Sequence, residues 1–183
     1  MNELSLYILD LTQNSVSAGA THVDIIIVID EAEDRIRIIL MDDGCGMAPE
    51  FLERVVSPFT TTRTTRKVGL GIPMIKELCE ACEGSFEIES KVGQGTTLRL
   101  EFRKSHIDLP PMGNLADTMV TLVNGAPEKP EFRLSYTNGG EEFVFDTTEI
   151  RQVLEGVPLD TPDVLEWMRQ YLLEGIEAAG KLP

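Results

Sequence analysis

Long apolar runs, basic charge and cysteine are all in short supply in this chain. No stretch approaches the roughly 20 apolar residues that a membrane-crossing helix needs. The N-terminus, with Asn2 and Glu3 and no basic flank, lacks the build of a signal peptide. The expected location is therefore the cytoplasm, with no membrane span. Lysine and arginine number 16 against 31 aspartates and glutamates, a net charge of −15. That balance works against nucleic acid as a partner, because a phosphate-contacting surface must be basic, and favours a basic protein surface instead. The three cysteines are an odd number in a chain expected to be cytosolic, which argues against a disulfide framework. Cys79 and Cys82 form a C-x-x-C, but both continue the apolar stripe of Met74, Ile75 and Leu78, and no second pair completes a zinc site. Buried packing thiols are expected there, with a redox role as the alternative.

The chain does carry a folded composition and a set of glycine-punctuated motifs. At 183 residues, 42% hydrophobic and 26% charged, it is long enough for one full core with a small appendage, and it lacks the composition of a disordered chain. An apolar run at 36–40 ends in Met41-Asp42-Asp43-Gly44-Cys45-Gly46-Met47. A strand that stops in an acid followed by Gly-x-Gly leaves a carboxylate at the rim and lets the backbone pass close to a ligand. The same residues alone also suit an ordinary turn. Upstream, Leu9-Asp10-Leu11-Thr12-Gln13-Asn14-Ser15 lies on a helical pattern with Leu4, Ile8, Leu11 and Ser15 on one stripe. Asp10 and Asn14, one helical turn apart, share a face. Downstream, Val68-Gly69-Leu70-Gly71-Ile72-Pro73 opens another helical pattern, and a glycine-rich helix start exposes unpaired N–H groups to an anion. Gly93-Gln94-Gly95-Thr96-Thr97 is a hairpin turn feeding a strand at 98–102.

In this order and spacing the motifs resemble the N, G1, G2 and G3 boxes of the GHKL superfamily, the ATP-binding fold shared by gyrase B, histidine kinases and MutL, over about residues 2–103. The resemblance implies ATP and Mg²⁺ as cofactors. By position it implies that Asn14 ligates the Mg²⁺ bridging the phosphates, that Asp42 accepts the adenine amino group, and that Gly44 and Gly46 line the base pocket. Gly69, Leu70 and Gly71 are implied at the phosphates, and Thr96 or Thr97 as a support of the adenine site through water. The segment at 57–67 has no apolar periodicity and reads as a loop; in the superfamily it is the ATP lid. Thr60, Arg63, Arg66 and Lys67 would then face the triphosphate, whose charge the cations help neutralise, with a solvated basic loop as the alternative. In hydrolysing and anti-sigma branches the residue four before the asparagine is a glutamate that activates the attacking group, whereas sensor histidine kinases usually carry asparagine there. Asp10 keeps the acid one methylene shorter and is the candidate catalytic base, with a plain surface acid as the alternative.

Around these motifs the pattern predicts an antiparallel pair of strands at 23–29 and 35–41, a helix at 49–56 started by Pro49, and strands at 85–90 and 96–102. Four strands with three helices on one face make an α+β fold, a two-layer α/β sandwich of the Bergerat type, at 1–106. The first helix opens so close to Met1 that a preceding phosphoacceptor helix pair is not expected, and neither His22 nor His106 sits on a kinase-type helical motif. A linker at 107–116 contains Pro110-Pro111 and Gly113. Beyond it the expectation is a strand at 117–123, then a hairpin of 131–136 and 142–146 about Thr137-Asn138-Gly139-Gly140. A helix follows from Thr147, and another is capped by Thr161-Pro162-Asp163 with Trp167 and Met168 on its core stripe. Residues 117–183 read as a small acidic α+β appendage of unknown role.

Three functions fit this reading. The leading one is a stand-alone kinase, histidine-kinase-like or anti-sigma-like, acting on a separate phosphoacceptor protein, since the chain offers no phosphoacceptor of its own and keeps an acid at Asp10. The others are a slow ATPase used as a conformational switch and a non-catalytic nucleotide-binding module of a larger, redox assembly. The oligomeric state is open.

Overall fold

A computed structural model of the chain describes residues 2–57 and 71–180. Its sheet grows from the most β-branched runs of the sequence. β1 (His22–Asp30) and β2 (Arg35–Asp42) pair antiparallel. Isoleucine and valine are stiff at χ1 and fit a pleated surface, and successive side chains alternate between its faces. Ile25, Ile27 and Ile29 accordingly lie buried opposite Leu40, Ile38 and Ile36. β3 (Ser85–Lys91) and β4 (Gly95–Arg103) extend the sheet beyond β2, and Leu98, Leu100 and Phe102 continue the buried face.

Helices cover that face. α1 (Leu4–Ser17) buries the expected stripe of Leu4, Ile8, Leu11 and Ser15. α2 (Pro49–Val56) starts at its proline, and α3 (Gly71–Ala81) buries Ile72, Ile75 and Cys79. The opposite face stays open and is laced with cross-strand ion pairs, such as Arg37 to Glu101 at 2.9 Å and Arg99 to Glu89 at 3.4 Å. The two-layer α+β arrangement expected from the sequence is the one found.

The C-terminal part departs from expectation in three places. Residues expected as a strand at 117–123 lie in a helix, α4 (Leu115–Gly125). Its β-branched residues favoured a strand, but Leu115, Met119, Leu122 and Val123 recur at helical spacing and are buried, and the Asn114 side chain caps the first turn by accepting from the Asp117 N–H at 2.9 Å. The expected linker is held in place: the α1 N–H groups of Leu4 and Ser5 donate to Pro111 O and Met112 O at 2.9 and 2.8 Å. Nor does the following part stand away from the sheet. β5 (Glu131–Asn138) pairs parallel with β1, and β6 (Glu141–Asp146) pairs antiparallel with β5, giving one six-stranded sheet in the order β3-β4-β2-β1-β5-β6. Phe132, Leu134 and Phe145 enter the common core. The expected hairpin is present, with Asn138 opposite Glu141. α5 (Thr147–Leu154) and α6 (Pro162–Gly180) follow. Met168 is fully buried as expected, but Trp167 is 50% exposed, because one residue along a helix turns the side chain about 100° away. Among the described residues no helix is long and apolar enough to cross a membrane.

Candidate functional site

The strand register brings the sequence motifs together at one end of the covered face. Asp42 on β2 lies directly beside Thr96 on β4, and Thr96 beside Ser90 on β3. α1 crosses above them, and Ser15 Oγ donates to Asp42 Oδ2 at 2.6 Å. The other carboxylate oxygen accepts from the Gly44 N–H at 2.9 Å. Asp42 is thus fixed from both sides while still lining a cavity of about 660 Å³.

The chain between β2 and α2 forms one wall. Cys45 N–H donates to Ala18 O and Gly93 N–H to Cys45 O, at 2.9 and 2.8 Å, and Met47 N–H donates to Ser90 Oγ at 2.9 Å. Gly46 has φ +68°, and a Cβ there would lie 1.9 Å from Lys91 O, so this loop can thread against the β3–β4 turn only with glycine. Leu11, Met47, Phe51, Ile72 and Leu98 make the cavity largely apolar, with Asn14, Asp42 and Thr96 among its polar points beside Ser15 and Ser17. Such a balance, and this volume, are those of small-molecule and cofactor sites.

Asn14 supplies a further sign of a ligand. Its Nδ2 is buried, lines the cavity's side of α1, and has no hydrogen-bond partner among the described residues. An unsatisfied buried donor costs about 1–3 kcal/mol, which a bound acceptor would offset. Asp10, one turn earlier, does not line the cavity. Its carboxylate rests against the start of α3, where a Cβ on Gly71 would come within 2.2 Å of Oδ2. The helix N-terminus carries partial positive charge, which favours a carboxylate and would favour a phosphate.

Other residues singled out in the sequence fall in different places. Gly44 sits behind Asp42, where an added Cβ would meet the Ala18 Cβ at 2.9 Å, and does not line the cavity. Thr97 pairs with Met41 and Glu89 on the opposite face of the sheet, so strand alternation gives the site Thr96 and not Thr97. Thr60, Arg63, Arg66, Lys67, Gly69 and Leu70 lie outside the described residues. Ser15 and Ser90, which anchor Asp42 and Thr96, went unassigned in the sequence; Ser15 alone gave a signal, as a polar residue on a buried helical stripe. Among the described residues no three His, Cys, Asp or Glu side chains gather to hold a metal ion. Mg²⁺ at Asn14 would therefore draw most of its ligands from phosphate oxygens and water, a usual arrangement for that ion.

Asp43, next to Asp42, points the other way. Partial desolvation pushes its pKa up, but hydrogen bonds from the Thr21 hydroxyl and the backbone N–H groups of His22 and Thr21 outweigh that and hold it at about 2. A depressed carboxylate stabilises the fold above its unfolded value of roughly 3.9 and stops doing so as pH falls through the folded value. Asp43→Asn is therefore expected to flatten the loss of stability between about pH 4 and about pH 2, as read from urea midpoints across that range.

The cysteines divide as their surroundings dictate. Cys79 and Cys82 are fully buried, and burial pushes the Cys79 thiol up to about 12 and the Cys82 thiol upward. Neither offers a thiolate at neutral pH. Cys45 is exposed and lines the cavity. Iodoacetamide on the folded protein should modify Cys45 and spare the other two, as exposure and burial dictate. Peptide mass mapping measures both, and labelling of Cys79 in the native state would contradict the packing role.

Residues 2–106 match the family described as histidine kinase-, DNA gyrase B-, and HSP90-like ATPase. Sensor histidine kinase AruS of Pseudomonas aeruginosa is 35% identical over 99 residues, 49% of this chain and 10% of that protein. Sporulation kinase E of Bacillus subtilis is 30% identical over 114 residues, 62% of this chain and 14% of that protein. The chain thus spans a small part of the length of these relatives. Among solved structures, the Aquifex aeolicus MutL ATPase domain complexed with ADP aligns over 100% of this chain and 99% of that one, with a TM-score of 0.51 and 16% identity, a likeness of fold.

Proposed function

The chain belongs to the histidine kinase-, DNA gyrase B-, and HSP90-like ATPase family, and from that premise we propose that it binds ATP with Mg²⁺ in the cavity beneath α1 and transfers the terminal phosphoryl group to a separate protein. The observation that carries the reading is the pairing, in one apolar cavity, of a fixed carboxylate acceptor at Asp42 with the Asn14 amide, whose buried Nδ2 has no hydrogen-bond partner among the described residues. Asp42 suits the exocyclic amino group of adenine, and Thr96 with Ser90, their hydroxyls 2.8 Å apart, suits a bridging water beside it. Asn14 and the N-terminus of α3 lie where phosphates would run, and the cations Arg63, Arg66 and Lys67 are proposed to meet the terminal phosphates. Mg²⁺ would neutralise phosphate charge and orient the group to be transferred. A sensor histidine kinase and a sporulation kinase among the relatives favour phosphoryl transfer to a protein over use of ATP on a small molecule.

A second reading, nucleotide binding without chemistry, is favoured by one observation: Asp10 lies against Gly71 and outside the cavity lining. Calorimetry with ATP and Mg²⁺ on the intact chain tests the shared part of both readings. Saturable binding supports them, and no heat at millimolar nucleotide would remove both.

A further inference from the structure

A second cavity lies at the opposite edge of the sheet from β3. Between β6, α5 and α6 runs a groove of about 450 Å³, lined by Val144, Ile150, Val153, Leu154, Trp167 and Tyr171 among others, and it shares no residue with the cavity beneath α1. Three of these side chains are open to solvent, Val153 at 81% exposed, Trp167 at 50% and Tyr171 at 40%, over a floor that includes the buried Ile150. Grouped exposure of this kind marks a contact surface, whereas single exposed apolar residues do not. The platform is ordered, since the Trp167 and Tyr171 rings stack with centroids 5.3 Å apart and Tyr171 also packs on Phe143.

The rim is acidic. Asp146 and Glu149 line the groove, and Asp163 and Glu166 flank Trp167 on α6, Asp163 one turn before it on the same face. Among nearby cations, Arg151 pairs with Glu131 at 2.6 Å and Arg169 with Asp117 at 2.7 Å, while Arg133 reaches the rim at Asp146, 4.0 Å away. Glu149 and Asp163 have no ion-pair partner among the described residues, and Glu166 shares the Arg169 guanidinium with Asp117 and accepts from the Gln170 amide at 3.1 Å. An apolar floor inside an acidic rim complements aliphatic or aromatic side chains flanked by positive charge. A second copy of this chain, at −15 and with the same acidic rim, would meet repulsion there.

We propose that this groove docks a segment of a separate protein carrying apolar side chains between lysines or arginines. The inference goes beyond nucleotide binding and stands without it. Trp167 is the one tryptophan of the chain, so its fluorescence reports occupancy directly. The full chain is titrated with a synthetic amphipathic peptide bearing leucine and phenylalanine at helical spacing with lysine flanks, and with the same peptide carrying glutamate for lysine. The expected result is a saturable blue shift with the lysine peptide alone, weakened about tenfold by Glu149→Lys with Glu166→Lys. Val153→Asp, at a position exposed enough to leave the fold intact, should also weaken it. An equal response to the glutamate peptide, or none to either, overturns the proposal. So does concentration-dependent self-association in sedimentation that Val153→Asp abolishes, which would assign the groove to a second copy.

Discussion

Asp42→Asn is expected to lower ATP affinity by about ten- to a hundredfold while leaving the fold intact, the equivalent of roughly 1.5–3 kcal/mol for one buried, charge-assisted hydrogen bond. The geometry explains why an isosteric change has so large an effect. One carboxylate oxygen is taken by the Gly44 N–H at 2.9 Å, and the other by the Ser15 hydroxyl at 2.6 Å, leaving remaining acceptor capacity toward the cavity. An amide that keeps its oxygen on Gly44 turns an NH₂ toward Ser15 and the ligand. Serine can reverse its hydroxyl and accept; an adenine amino group, itself a donor, cannot. The variant should therefore lose most of its preference for ATP over inosine triphosphate, which presents a carbonyl at that position. Asn14→Ala should lower affinity comparably by a different route, removing the amide whose buried Nδ2 has no partner among the described residues. Calorimetric titration of both variants checks this, and unchanged ATP binding in both would dismiss the cavity as the nucleotide site.

The difference between what the sequence did and did not disclose follows how local each signal is. Asp42, Gly46 and Gly71 were legible because each stands in a short motif at the end of an element, an acid closing an apolar run, Gly-x-Gly after it, and Gly-x-Gly before a helical pattern. Ser90 was not, since its importance rests on a strand pairing that sets it beside Thr96, six residues away across a turn. The choice between Thr96 and Thr97 depended on strand phase, and a one-residue change of phase exchanges the faces. The register with β2 sets Thr96 beside Asp42 and Thr97 beside Met41. Farther along, local composition misled. Thr118, Val120, Thr121 and Val123 look strand-like, yet the apolar period places them on α4. The parallel pairing of β5 with β1 joins residues more than a hundred positions apart, which no local pattern encodes.

Whether the site performs chemistry turns on Asp10, and the structure sharpens the question. Asp10 and Asn14 leave α1 on the same face, but only Asn14 lines the cavity, while the Asp10 carboxylate rests at the N-terminus of α3. A base must come within hydrogen-bond reach of the proton it removes, and contacts that are loose without substrate often tighten when substrate binds. If Asp10 is that base, the acceptor hydroxyl or imidazole gives it a proton as the new bond to the terminal phosphorus forms, and the bond to the departing ADP breaks. Asp10→Asn should then leave ATP affinity within about twofold of wild type, because Asp42 and Asn14 are untouched. Turnover or transfer should fall on the order of a hundredfold or more. Asp10→Glu restores the missing methylene and should retain activity. Gly71→Ala provides a positioning control: its Cβ would press the carboxylate aside, so a turnover loss like that of Asp10→Asn, with nucleotide still bound, would locate the working carboxylate at the α3 terminus. Single-turnover assays beside calorimetry separate these effects. Wild type and Asp10→Asn that bind ATP equally, and are equally unable to hydrolyse or transfer it, would leave Asp10 as a helix-terminus acid and the protein as a nucleotide-binding module.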